Sequence, residues 1–382
     1  MAGAWRPVIG TVRPAVRDLD LLRSQERSFL ESERTFDDAA RFVASLSASG
    51  AGEPAVYAHQ QVYLDYRGSV VAKILALRTL GALSPGIRTD FVWIDTDRCG
   101  SDKLSLRLYL DSPHGAVPVR LAPAGCEDRE TRFVHTDAVR LRQGADHVAG
   151  VVQSTPRVGS LRLSRWNQLR PLVEAGGTLA DVSRRLTDAM LGRVLGFVPR
   201  PVLVSDLAAS GDLNRALSTI LNRLPEFVAT YNARIETLRA RDIDPRVKPL
   251  ADDYLPLFIT TPGDQRRTRL RLVRDGRVHL ACAVDRAGQS WCYELGRREL
   301  SLEGLFGHVD FAPDVTLPIQ LNDRYSGVVC GKSSALYLLV FNEVMRKVLD
   351  MKPVPILVPP SWDVFPGAYD SLLAAYLDGR RV

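Results

Sequence analysis

The 382-residue chain has no apolar run approaching the roughly 18 to 20 residues that a membrane-spanning helix needs. Its first residues, MAGAWRPVIGTVRPAVRD, lack a basic region followed by an apolar stretch, so no secretory leader is expected and the cytoplasm is the expected location. Cysteine is sparse: Cys99, Cys126, Cys282, Cys292 and Cys330 are an odd number, widely scattered and without a CxxC pair. That spacing argues against a disulfide framework or a zinc site and predicts free structural thiols. Lysine is scarce as well, with only six of the 50 basic residues, so the net charge of +6 and pI of about 9.1 are carried by arginine. Such a bias is weak evidence for nucleic acid. In DQRRTRLRLVRDGR, Arg267, Arg269 and Arg271 alternate as on one face of a strand, but no aromatic residues interleave them for base stacking. A solvated sheet face is the plainer reading, a phosphate- or RNA-facing stripe the sharper one. Internal repeats and low-complexity tracts are also missing.

What remains, 46% hydrophobic and 25% charged residues, is the profile of a chain that buries a sizeable core. Residues 1–50 read as a polar helical arm closed by the breaker cluster SASGAGEP. From there to residue 382, short apolar runs alternate with helical periodicity, which predicts an α/β core built on a parallel sheet with crossover helices. The candidate core strands are 55–58, 90–94, 201–204, 327–330 and 354–358. Segments at about 105–200 and 242–312 read as insertions, the second of them antiparallel over 255–295 with turns at RDG and DRAGQ. Between Asp212 and Arg241, apolar residues recur at intervals of three and four, predicting two helices broken at Pro225. Their stripe either packs on the core or forms a dimer contact.

Ligands of open α/β sheets bind outside the carboxyl ends of the strands, beside helix N-termini. The five candidate strands end in His59-Gln60-Gln61, Asp95-Thr96-Asp97, Ser205-Asp206, Gly331-Lys332-Ser333-Ser334 and Ser361-Trp362-Asp363. His59 has the chemistry to donate to a phosphate or a developing oxyanion, or to transfer a proton. Gly331 to Ser334 open a helix and resemble an anion cradle, without the upstream glycine of a P-loop. Lys73 and Lys332 fall at the same mouth, where a compact ammonium suits a point contact to phosphate. Asp95 and Asp97 suit Mg²⁺ or a substrate amine, or else cap the following turn. Asn322-Asp323 read as a turn or a further polar pair. Cys99 reads as a passive thiol rather than a nucleophile.

Three stretches resemble one family, the bacillithiol-pathway cysteine-adding enzymes. VYAHQQVYLDYRGSVVAKI is similar to the family's Val-Thr-Gly-Gln-Gln segment with its lysine-bearing helix, and DFVWIDTDRCGSDKL to its Phe-Trp-Ile strand and acidic loop. FAPDVTLPIQLNDRYSGVVCGKSSALYLLVFNEVMRKVLDMKPVPILVPPSW follows its Ser-Pro-Asn-Val block, Gln-Asp pair, glycine-rich strand end and Pro-Val-Ile-Val-Pro strand in order. The chain departs from the family where His59 replaces a glycine, Cys99 a loop histidine and Lys332-Ser333-Ser334-Ala335 a Gly-Pro-Gly-Glu run. The family's C-terminal coiled coil has no counterpart after Trp362. The resemblance implies a Rossmann-like core related to class I nucleotidyl-transfer and synthetase folds. It also implies a ligase that adds cysteine or another amino acid to an amine-bearing small molecule, with ATP and with it Mg²⁺ as cofactors. Together with the strand ends it assigns His59, Asp97 and Lys332 to catalysis. Gln60, Gln61, Lys73, Gly331, Ser333 and Ser334 are assigned to the nucleotide, and Asp95, Asp102, Asn322 and Asp323 to the substrates. The expected partners are the small-molecule amine and amino acid, with no nucleic acid and no membrane, and a homodimer is left open. A nucleotidyltransferase-like enzyme and a non-catalytic nucleotide- or metabolite-binding homologue are the alternatives.

Overall fold

Five apolar runs that the sequence marks as core strands lie side by side in one sheet. The structure is a computed structural model that describes residues 27–47, 53–100, 105–109, 116–154, 159–261, 265–302, 305, 310–359, 364 and 371–382. In chain order the first described elements are helix α1 (Arg27–Ser32), strand β1 (Thr35–Phe36), helix α2 (Ala39–Ser47), β2 (Ala55–Gln61), α3 (Gly68–Leu83) and β3 (Arg88–Ile94). A first inserted segment holds β4 (Ser105–Tyr109), β5 (Ala116–Arg120), α4 (Ala138–Gln153), α5 (Gly159–Glu174) and α6 (Leu179–Val194). The chain continues with β6 (Arg200–Leu203), α7 (Val204–Ala209), α8 (Asn214–Asn222) and α9 (Leu224–Arg239). A second insertion contains β7 (Tyr254–Thr260), β8 (Arg267–Asp275), β9 (Val278–Val284), β10 (Ser290–Gly296) and β11 (Phe311–Pro313). The last part is α10 (Leu317–Leu321), β12 (Gly327–Val329), α11 (Lys332–Lys347), β13 (Ile356–Leu357) and α12 (Leu372–Asp378).

The main sheet has six parallel strands in the order β1-β13-β12-β2-β3-β6, and helices flank it on both sides, a Rossmann-like α/β arrangement. Strands buried on both faces read as near-continuous apolar runs, which is why the sequence exposes them. Successive side chains of β2 enter opposite layers: Val56 and Ala58 join the core formed with α2, α3 and α4 to α6, whereas Ala55 and Tyr57 join the core formed with α7 to α9 and α11. The two-residue β1 extends the sheet from within the segment read as a helical arm. It is held there by Glu33, which pairs with Arg234 of α9 at 2.6 Å and with Arg346 of α11 at 2.5 Å. Helix α2 packs so closely on β12 that a Cβ at Gly327 meets the buried Phe42 ring at 2.6 Å and Leu46 at 2.9 Å. Gly327→Ala is therefore expected to cost about 1–3 kcal/mol through overpacking. It should lower the urea midpoint with an unchanged denaturant slope; an unchanged midpoint would show that α2 yields freely.

The five-stranded antiparallel sheet, in the order β10-β9-β8-β7-β11, fills the second insertion as expected. Helices α8 and α9 are separated near Pro225, which takes the first turn of α9 where its missing N–H costs nothing. Their stripe of Leu217, Ile220, Phe227, Tyr231, Ile235 and Leu238 is buried in the core, so it is a packed face and not a free dimer surface. The thiol expectation is corrected in one respect. Cys282 and Cys292 face each other across β9 and β10 with Cα atoms 4.2 Å apart and form a disulfide, while Cys99, Cys126 and Cys330 are buried thiols that are not disulfide-bonded. A spacing of ten residues hides the pair until the DRAGQ turn sets the register of the hairpin. The arginine stripe is paired with carboxylates: Arg269 with Asp314 at 2.9 Å and Arg271 with Asp253 at 3.0 Å. Arg267 is tucked 3.6 Å over the Phe258 ring, with Asp97 at 3.7 Å, so carboxylates neutralise the stripe along its length. Among the described residues no helix is long and apolar enough to cross a membrane.

Candidate functional site

The strand order reverses between β2 and β12. From β2 the chain moves through α3 to β3 on one side, and from β12 it moves through α11 to β13 on the other. Because α3 and α11 lie on opposite faces, the loops leaving the two strands diverge and open a crevice at their carboxyl ends. The register places Val329 beside Ala58, which sets Cys330 and Gly331 next to His59 and Gln60. Both helices start at these strand ends without a side-chain cap, α3 from Arg67 and α11 from Gly331, and the first turn of α11 carries Lys332, Ser333 and Ser334. A Cβ placed on Gly331 meets no atom within 4 Å, so the space in front of that turn is open.

Lys73 reaches the crevice from α3. Its Nζ donates to the His59 carbonyl and to Gln60 Oε1, each at 2.7 Å. Burial draws the Lys73 pKa down to about 8, with the neighbouring Cys330 thiol opposing that change. Cys330 is itself pushed up to about 12 by burial, which makes it a poor nucleophile at neutral pH. The His59 ring lies 2.8 Å through Nε2 from the Tyr337 hydroxyl of α11, and its Nδ1 is buried without a hydrogen-bond partner. Burial, and then the charge on Lys73, lower the His59 pKa to about 3, so the imidazole is neutral across the physiological range. Burial also raises the Tyr337 hydroxyl, and a hydrogen bond with Ser334 works against that rise. A line of groups, Ser334, Tyr337, His59, then Lys73 with Gln60, thus crosses the switch point from α11 to α3. The hydroxyl of Tyr63 donates to Gln61 Oε1 at 3.2 Å, at the edge of this group.

The acidic residues lie elsewhere. Asp95 is buried at the end of β3 and accepts hydrogen bonds from Ser205, from its N–H at 3.0 Å and from its hydroxyl, which ties β3 to the start of α7. Burial raises the Asp95 pKa against those bonds. Asp97 turns toward the antiparallel sheet, where it accepts from the Arg98 N–H at 2.9 Å and faces Arg267. Next to it the fully buried Glu130 holds Arg132 at 2.6 Å and accepts from Thr260 at 3.2 Å. Asn322 and Asp323 precede β12 and so sit at the amino end of the sheet. There Asn322 accepts from the Val354 N–H and donates to the Lys352 carbonyl, each at 3.1 Å, and Asp323 is 3.8 Å from Arg215. Asp102 and the Ser361-Trp362-Asp363 strand end lie outside the described residues. Cys99 is buried, and its hydrogen bond to Cys126 draws the Cys126 thiol down to about 7.

Of the residues singled out in the sequence, His59, Gln60, Lys73, Gly331, Lys332, Ser333 and Ser334 are brought together, with Gln61 beside them. Tyr337 and Cys330 complete the site and were not singled out. Tyr337 could have been found from its place three residues after Ser334, on the same helix face. Among the described residues no group of three or more His, Cys, Asp or Glu side chains is placed to hold a metal ion. No protein-family model matches the chain, and no curated protein matches it. What the fold and these positions define is a class, a parallel α/β protein with a cluster of polar groups at the strand ends of its topological switch point.

Proposed function

We propose that the chain is a ligase-type enzyme that adds cysteine or another amino acid to an amine-bearing small molecule through an amide bond. Its site is the crevice between β2 and β12. The observation that carries the reading is the convergence of the uncapped start of α11 with Lys73, Gln60 and His59 at the switch point. An anionic group suits that donor set: the N–H groups, hydroxyls and ammonium of Gly331 to Ser334 would hold the phosphates of ATP. ATP, when bound, supplies the activation that a carboxyl group needs before an amine displaces its oxygen. The residues of the chain bind, orient and exclude water around the reacting groups, with the neutral His59 and Tyr337 pair able to pass a proton. The carboxylates fit Mg²⁺ poorly, because Asp95 is committed to Ser205 and Asp97 faces Arg267. In this reading Mg²⁺ comes with the phosphate oxygens. That commitment also favours a second reading, a nucleotide- or metabolite-binding homologue without catalysis.

Calorimetric titration with ATP, ADP and AMP, with and without Mg²⁺ and then with cysteine, tests the proposal. Saturable nucleotide binding weakened at least about tenfold, about 1.4 kcal/mol, by Lys332→Ala is the expected result. Binding without turnover of any amino acid and amine pair favours the second reading. Absence of nucleotide binding removes the ATP-dependent mechanism.

A further inference from the structure

A second cavity, of about 470 Å³, opens far from the switch point in the fold, between α9, the segment around Pro249 and the outer side of β8. Its floor is unusual in charge. Arg269 and Arg271, two residues apart on one face of β8, each carry a carboxylate partner, Asp314 at 2.9 Å and Asp253 at 3.0 Å, so two ion pairs stand next to each other. Asp314 is almost wholly buried, with 7% of its side chain exposed. The neighbouring Tyr254 hydroxyl is buried against Asp314. Lys248 adds positive charge at the exposed rim, where Arg246 is paired with Asp244 at 3.2 Å, and Tyr231, Val247 and Pro249 supply an apolar wall.

A simple anion entering this cavity meets a carboxylate next to every guanidinium, and a simple cation meets a guanidinium next to every carboxylate. A molecule carrying both charges on neighbouring atoms escapes that conflict, because each of its ends finds a group of opposite charge. Lys248 at the rim favours its anionic end pointing outward, and the buried Asp314 favours its cationic end pointing inward. The volume falls in the range of small-molecule sites, and the tyrosine and proline wall suits an apolar or aromatic side chain.

We propose that this cavity binds a free α-amino acid with an apolar or aromatic side chain, its ammonium on Asp314 and its carboxylate on Lys248. The site is separate from the β2 and β12 crevice and does not depend on the chemistry assigned there. The probe is L-phenylalanine, titrated calorimetrically into the full chain beside N-acetylphenylalanine, which lacks the ammonium, and phenylalanine amide, which lacks the carboxylate. Saturation below about 1 mM by phenylalanine is expected, with each analogue weaker by about tenfold or more. Lys248→Glu, a change at an exposed rim position that leaves the fold in place, is expected to weaken phenylalanine by at least about fivefold. Asp314→Asn is expected to abolish the preference for phenylalanine over its N-acetyl derivative. Equal affinity for all three compounds, no saturable heat, or a Lys248→Glu chain that binds as the parent does would each overturn the proposal. Nucleotide binding is measured on the same samples, so failure here is distinguishable from failure at the crevice.

Discussion

Taking the protein from pH 7 to pH 4 is expected to remove about 3 kcal/mol of stability through His59 alone, a loss that His59→Gln does not show. The imidazole is fully buried, and its folded pKa of about 3 lies well below the usual value near 6.5. Between those two values the unfolded chain binds a proton that the folded chain refuses, so stability falls as the pH falls through this window. The contribution is complete above about pH 6.5 and gone below about pH 3. Burial is the larger cause and Lys73, which keeps a positive charge nearby at these pH values, is the second. Glutamine keeps polar atoms near Tyr337 and cannot take up the proton. Urea unfolding of both chains at pH 7, 5.5 and 4 checks this. The carboxylates titrate in both proteins and cancel in the comparison, so a difference between the chains that stays constant with pH would show that His59 is not desolvated.

The parallel sheet was legible because its strands are buried on both faces, and DFVWI and VPILV can hardly be read otherwise. Thr35-Phe36 escaped notice because two residues carry no period, and the ion pairs that fix them come from Arg234 and Arg346, remote in sequence. At the strand ends, the rule that loops after parallel strands carry ligand groups pointed to His59, Gln60 and Gly331 to Ser334, and the structure sets these residues side by side. Applied consistently, the same rule puts Asn322 and Asp323 at the wrong end, since they come before their strand. Asp95 and Asp97 show the limit of the method. In sequence they are two alike carboxylates after a strand, and only Ser205, 110 residues further on, and Arg267 decide that both are held away from the crevice. The arginines of β8 are a comparable case, since a stripe that looks cationic in sequence is neutralised by Asp97, Asp314 and Asp253 from three separate segments. Local pattern therefore gives the elements and the strand ends. Long-range pairing decides which of those ends remain available to a ligand.

Lys73→Met is expected to match the parent protein in stability near pH 7 and to fall behind it as the pH rises. The Lys73 ammonium is wholly buried and its pKa is about 8, against about 10.4 for a free lysine. At pH 7 the charge is present in both folded and unfolded chains, and the folded one bears a desolvation cost of about 3 kcal/mol. Above pH 8 the folded lysine gives up its proton before the unfolded one does, so the parent gains that amount by about pH 10.5. Methionine fills the same space without the cost, but it leaves the His59 carbonyl and Gln60 Oε1 without their donor, a loss of about 1–3 kcal/mol that does not vary with pH. The two effects nearly offset at pH 7, and at pH 10 only the loss remains, so the variant becomes the weaker protein. Denaturant unfolding of both chains at pH 7, 8.5 and 10 measures the change, and parallel curves would remove the buried charge from the account of the site. The same titration has a functional side. Under the proposed ATP-binding reading, a lysine that is half neutral at pH 8 attracts an anion only while protonated, so nucleotide affinity is expected to fall above that pH in the parent protein and to be weak and flat with pH in Lys73→Met.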